Sequence, residues 1–89
     1  MLSVKTTTRF LRDQKLASKR GLDIDKLEAI VNLLQAQKPL PIKNKDHALS
    51  GAWKYHRECH IEPDWLLIYT ADEKYLTLHR TGSHADLFD

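Results

Sequence analysis

One cysteine, Cys59, cannot close an internal disulfide, so this chain is no disulfide-stapled scaffold. Three glycines and three prolines among 89 residues are too few for a low-complexity or extended protein. No uncharged apolar run approaches the roughly 20 residues of a membrane-spanning helix. The opening MLSVKTTTRFLRD carries charge where a secretion signal needs an apolar stretch. These absences leave the expectation of a soluble protein in a reducing cytoplasm. With 42% apolar residues the chain can bury a core, but its length allows only one, so a single domain is expected over residues 1–89.

Neither sign of charge dominates, and the net is only +2. The distribution is uneven. Residues 1–20 carry +5 and residues 37–60 carry +3, whereas residues 21–36 carry −2 and residues 61–89 carry −4. The first and third stretches could build a basic face for a polyanion.

Leu2 to Lys5 predicts a short strand, and the threonines behind it offer an N-cap for a helix running to about Arg20. On that helix Arg9, Arg12, Lys15, Lys19 and Arg20 share one face, with Phe10, Gln14 and Ala17 opposite. Gly21 suits its C-terminal end. Asp23 then caps a second helix whose Ile24, Leu27, Ile30, Val31 and Leu34 form one apolar stripe, giving an αα-hairpin. The stretch KPLPIKNK holds two prolines and reads as a surface connection. Ala52 to Ile61, Trp65 to Thr70 and Lys74 to Arg80 are predicted as the strands of a meander. WLLIY is apolar throughout, as a central strand covered on both faces would be. In TGSHADLFD, Ser83 and Asp86 have capping-box spacing ahead of a helical turn. The fold class is α+β.

If Ala52 to Ile61 is one strand, alternation places Lys54, His56, Glu58 and His60 on one face and Trp53, Tyr55, Arg57, Cys59 and Ile61 on the other. A cation, two imidazoles and a carboxylate in a row can do acid–base work. Arg57 reads as a structural arginine with a buried stem, and His79 as a surface or sheet-face residue. His56-x-x-x-His60 has zinc-ligand spacing on a helix, but along a strand the two rings stand roughly 13 Å apart. Cys59 faces away from His60 and reads as a small core residue. No metal or other cofactor is expected. His47, Asp64 and His84 lie where loops meet the sheet.

The run DHALSGAWKYHRECHIEPDWLLIY followed by HRTGSHADLF resembles the YafQ branch of the RelE superfamily, ribosome-dependent mRNA endonuclease toxins, over nearly the whole chain. The resemblance implies a β-α-α-β-β-β-α fold with an antiparallel sheet packed against the helical hairpin. It implies a cytoplasmic toxin of a type II toxin–antitoxin pair, monomeric alone and hetero-oligomeric with a small DNA-binding antitoxin, acting on mRNA at the ribosome. Carried over by position, the site is His47, Glu58, His60, Asp64, Trp65, His84 and Phe88. Glu58 departs from the family's aspartate and moves its carboxylate outward by a methylene.

Metal-free RNA cleavage needs a base for the ribose 2′-hydroxyl, a donor for the leaving 5′-oxygen and positive charge for the phosphorane. Asp64 or His60 is expected as base, unless Asp64 orients an imidazole, and His84 as acid. His47 and Lys54 would hold phosphate, and Arg9, Arg12, Lys15 and Lys19 would meet rRNA. The products would be a 2′,3′-cyclic phosphate and a 5′-hydroxyl. Phe88 would either stack on a base or pack the tail against the sheet. A helix capped by Ser83 disfavours a protonated His84, so either Asp64, Asp86 or the substrate phosphate offsets the dipole, or an unpaired His84 fits a hydrogen-bond or base role better. The competing class is a homologue that binds RNA or antitoxin without cutting.

Overall fold

Thr7 ties the two ends of the fold together. Its Oγ1 accepts the Phe10 N–H at 3.0 Å, which caps a helix, and the same hydroxyl donates to the His79 carbonyl of the last strand at 2.9 Å. The computed structural model of the protein describes residues 1–88. In chain order it comprises β1 (Ser3–Thr6), α1 (Thr8–Lys19), α2 (Ile24–Gln35), β2 (His47–Ala48), β3 (Arg57–Glu62), β4 (Trp65–Ala71), β5 (Tyr75–Gly82) and α3 (His84–Phe88). Short 3-10 turns occupy Ile42–Asn44 and Gly51–Trp53.

The helix ends follow from local chemistry. Gly21, at φ +80°, closes α1 with its N–H on the Ser18 carbonyl and the Leu22 N–H on the Ala17 carbonyl, a Schellman pair. Asp23 caps α2 by accepting the Asp25 N–H at 3.0 Å. Gln37 repeats the left-handed closure at the other end of α2, and Pro39 prevents the helix from continuing.

The sheet runs β1-β5-β4-β3-β2. Its β5-β4-β3-β2 body is antiparallel, as expected, and β1 joins the edge parallel to β5. The strand predicted from Ala52 to Ile61 begins only at Arg57. Gly51–Trp53 is a 3-10 turn and Tyr55 sits at φ +73°, a left-handed backbone that no strand accommodates. In its place the short β2 pairs with β3, setting His47 opposite Glu58.

Both faces of β4 are buried, which accounts for the unbroken apolar run. Trp65, Leu67 and Tyr69 meet Phe10 and Ala17 of α1 and Leu27 and Ile30 of α2, with Cys59 and Ile61 of β3 filling the same layer. Leu66 and Ile68 face the other way, under Leu87 of α3, with Leu49 and Trp53 packed at the margin. Burial pushes the Cys59 thiol up to about 12, so it is an inert core group. Arg57 departs from the expected buried stem: its side chain is 45% exposed and its Nε donates to Asp46 at 3.2 Å. The one acid of α1, Asp13, receives a bidentate grip from Arg80 at 2.7 and 3.1 Å and the Thr81 N–H at 3.2 Å, which docks α1 on β5.

Candidate active site

The capping box read in the tail is present, and it positions the tail. Ser83 Oγ accepts the Asp86 N–H at 3.1 Å, and the Asp86 carboxylate accepts the Ser83 N–H at 2.9 Å. Arg20 of α1 adds a 2.6 Å ion pair to Asp86, which holds that carboxyl down to about 2. A Cβ on Gly82 would stand 2.9 Å from the Asp86 carboxylate, so only glycine lets the strand pass this close to the turn. These contacts fix α3 across the sheet end with His84 as its first residue.

Asp64, in the β3–β4 turn, accepts both the His84 backbone N–H and its ring, each at 2.9 Å. A carboxylate only accepts, so Nδ1 carries the proton and Nε2 is the ring nitrogen left uncommitted. The same two bonds, the backbone one first, hold the Asp64 carboxyl below its usual range. Of the offsets open in the sequence, it is the Asp64 carboxylate that stands against the ring.

Glu58 and His60 lie on the same sheet face as Ile68 and Leu66, their cross-strand partners in β4. Glu58 is almost fully buried, and its Oε1 lies 3.6 Å from His47 Nε2 and 3.5 Å from His60 Nε2. The outer nitrogens are pinned by carbonyls: His47 Nδ1 donates to Lys45 at 2.6 Å and His60 Nδ1 to Pro63 at 3.2 Å. Two imidazoles therefore aim their Nε2 atoms at one carboxylate oxygen. The ring centres of His47 and His60 are 6.4 Å apart, those of His60 and His84 5.8 Å, and those of His84 and Phe88 6.2 Å.

The structure thus brings His47, Glu58, His60, Asp64, His84 and Phe88 to one sheet end, with Phe88 43% exposed beside His84. Other candidates fall outside. Trp65 is 1% exposed, faces the helices and donates its Nε1–H to Thr81 Oγ1 at 2.9 Å, so it cannot touch a substrate. Lys54 and His56 leave the predicted row because the chain there is a turn; the Lys54 ammonium lies 5.2 Å from the Tyr55 ring, and His56 packs on His79. Arg9, Arg12, Lys15 and Lys19 are exposed along α1 and make no ion pair among the described residues. One supporting residue escaped the sequence reading. Asn44, buried within what looked like a surface connection, donates to the His60 carbonyl at 2.7 Å. Its only sequence signal was a turn-favouring Asn between two lysines.

A metal centre built on His56 and His60 is not formed. His60 instead converges with Glu58 and His84, one ligand atom of each lying within 4.8 Å of the others. Imidazole and carboxylate donors suit zinc or copper, whose ligands stand at about 2.0–2.2 Å, so this set would close slightly around an ion.

A small α+β domain with histidines and carboxylates gathered at one sheet end, and a capped tail over them, is the arrangement that the resemblance to the RelE superfamily toxins implied. Residues 2–89 match the YafQ family model, described as bacterial toxin of type II toxin-antitoxin system, and the chain belongs to that family. It is 45% identical over 86 residues, 96% of this chain and 94% of the relative, to the mRNA interferase toxin YafQ of Escherichia coli strain K12. Among solved structures it is similar to the toxin of the E. coli DinJ-YafQ toxin-antitoxin complex, with a TM-score of 0.91, 44% identity and coverage of 99% of this chain and 98% of that one. It is likewise similar to a metal-bound toxin from Helicobacter pylori, with a TM-score of 0.93, 43% identity and coverage of 99% and 100%.

Proposed function

We propose that this protein is an mRNA interferase, an endoribonuclease that cuts translated message at the ribosome and is neutralised by a cognate antitoxin. The observation that carries the chemistry is the 5.8 Å between the His60 and His84 ring centres, a spacing at which two imidazoles can both reach the oxygens of one phosphodiester lying over them. His60 is the base: its side chain is 14% exposed against 5% for Glu58, so the imidazole meets the 2′-hydroxyl and the carboxylate behind it stabilises the imidazolium. Attack of that oxygen on phosphorus expels the 5′-oxygen, and His84 protonates the leaving group through Nε2 while Asp64 fixes its ring. His47, across Glu58, supplies positive charge for the phosphorane. Asp64, ionised and committed to two hydrogen bonds, is the orienting group. Phe88 offers a stacking surface beside the reacting groups. The exposed cations of α1 meet rRNA phosphates.

Glu58, His60 and His84 are also the donors a transition metal would take. An ion held there would consume the base and the acid, so metal and cleavage compete. The test is a translation reaction with mapped RNA ends. The wild type should yield 5′-hydroxyl and cyclic phosphate ends with ribosomes present, unaffected by chelator and suppressed by added zinc, while His84→Ala yields at least about a hundredfold less. Full activity in His84→Ala, or loss in chelator, would overturn the assignment.

A further inference from the structure

The turn that broke the predicted strand, Trp53 to His56, sets three aromatic rings and a cation on four successive residues. The Trp53 and His56 rings meet edge-on at 5.1 Å, and His56 meets His79 of β5 edge-on at 4.6 Å. His79 in turn is anchored through Nε2, 2.8 Å from Thr70 Oγ1. Trp53 packs against the cluster of Leu66, Ile68 and Leu87, and Thr70 lies two residues beyond Ile68 on the same side of β4. The ring array and the Glu58–His60 pair therefore share one sheet face, Glu58 standing roughly 7 Å and His60 roughly 13 Å along β4 from the Thr70 end of the array.

Tyr55 is the outlier. The residue is 84% exposed, it holds φ +73°, and the Lys54 ammonium lies 5.2 Å from its ring centroid. A bulky side chain in a left-handed backbone costs stability, and such strain gathers where a protein holds a ligand. Core packing does not explain a strained ring standing in water. Rings alternating with a cation are the surface that takes single-stranded RNA, bases on the rings and phosphate on the ammonium. Burial, with His56 beside it, lowers the pKa of His79, so it meets a base as a neutral ring.

We propose that the 53–56 turn and His79 form a nucleobase subsite for the message, holding a nucleotide that flanks the scissile phosphate, with Lys54 on its backbone. The subsite rests on the ribonuclease reading and deepens it, because it makes the turn the source of cut-site preference. Cleavage would be mapped in a reconstituted translation reaction on a message presenting every base on both flanks of many potential sites. His56→Ala and Tyr55→Gly should each lower cutting at favoured sites by at least about fivefold relative to disfavoured ones, the lower end of one base–aromatic stack. His56→Phe should restore the preference, and Tyr55→Gly should melt higher than the wild type because glycine relieves the backbone. If His56→Ala fails to fold, Tyr55→Gly decides alone.

Cleavage by the wild type with the same site preference in all turn variants would overturn the subsite and leave the ribonuclease standing. Uniform loss with weaker ribosome co-sedimentation, or lost antitoxin affinity with the pattern intact, would overturn it too, by giving the turn to rRNA or to a protein. A wild type no more active than His84→Ala would overturn both.

Discussion

The two faces of the sheet differ in what they do with polar groups. On the helix-covered face the Trp65 indole donates to Thr81, and the Thr81 hydroxyl donates onward to the Leu66 carbonyl at 2.6 Å, so each bond ends inside the protein. On the α3 side His60 donates through Nδ1 to the Pro63 carbonyl with Nε2 3.5 Å from the Glu58 carboxylate, while His84 commits only Nδ1, to Asp64. One face has spent its hydrogen-bonding capacity on stability, and the other has kept part of it in reserve. If the proposed site is right, stability and chemistry are separable on one five-stranded sheet.

The separation can be broken from either side. His84→Ala should lower ribosome-dependent cleavage by about a hundred- to ten-thousandfold, the usual contribution of a general acid, while thermal unfolding stays within a degree or two of the wild type. A large drop in melting temperature would show that the α3 side carries the fold as well. Asp13→Ala works on the other side: it strands Arg80, whose side chain is 12% exposed, and should cost about 3–5 kcal/mol in urea unfolding. A loss below about 1 kcal/mol would mean that apolar packing alone docks α1.

Smaller effects sharpen the boundary where the faces meet. The Asp86 carboxyl is held near 2, below its unfolded value of about 4, so its contribution is complete above that value and is lost as pH falls from about 4 to 2. Asp86→Asn keeps an acceptor for Ser83 but removes the charge, and it should flatten that part of the urea-midpoint profile by about 1 kcal/mol, the ion pair being partly solvated. An unchanged profile would assign the acid sensitivity to other carboxylates, Asp64 and Asp72 among them. Exchanging Arg12 and Lys15 together for Glu should leave stability within about 0.5 kcal/mol. Ribosome affinity should fall, with a salt slope shallower by roughly two phosphate contacts. Unchanged salt dependence would remove α1 from the RNA-binding surface.

Elements governed by local rules were legible in the sequence. Thr7, Gly21, Asp23 and Ser83 end or start helices through their own side chains or φ; the last three were read by position, and Thr7 as one of three threonines. Periodicity also found the buried residues of both long helices. Failures came where tertiary context decides. The alternation through Trp53 and Tyr55 mimicked a strand, but a positive φ at Tyr55 has no signature in residue type. Trp65 carried a motif's functional label, whereas its neighbours in β4 fix it on the helix side by simple alternation. Within the site, the motif named the side chains but not their pairing. That Asp64 belongs to His84, and that Glu58 sits between two imidazoles, depends on a turn and a two-residue strand whose register only the folded chain sets. Asn44 was illegible for the same reason, since its partner is a backbone carbonyl 16 positions away.

The hydroxyl of Thr7 reaches across 72 positions to the His79 carbonyl, and β1 finds its only neighbour in β5. The first strand to emerge during translation must wait for nearly all the rest before it has anything to pair with. The fold is for that reason still incomplete while its own message is being read, and whatever it does begins only once the chain is released.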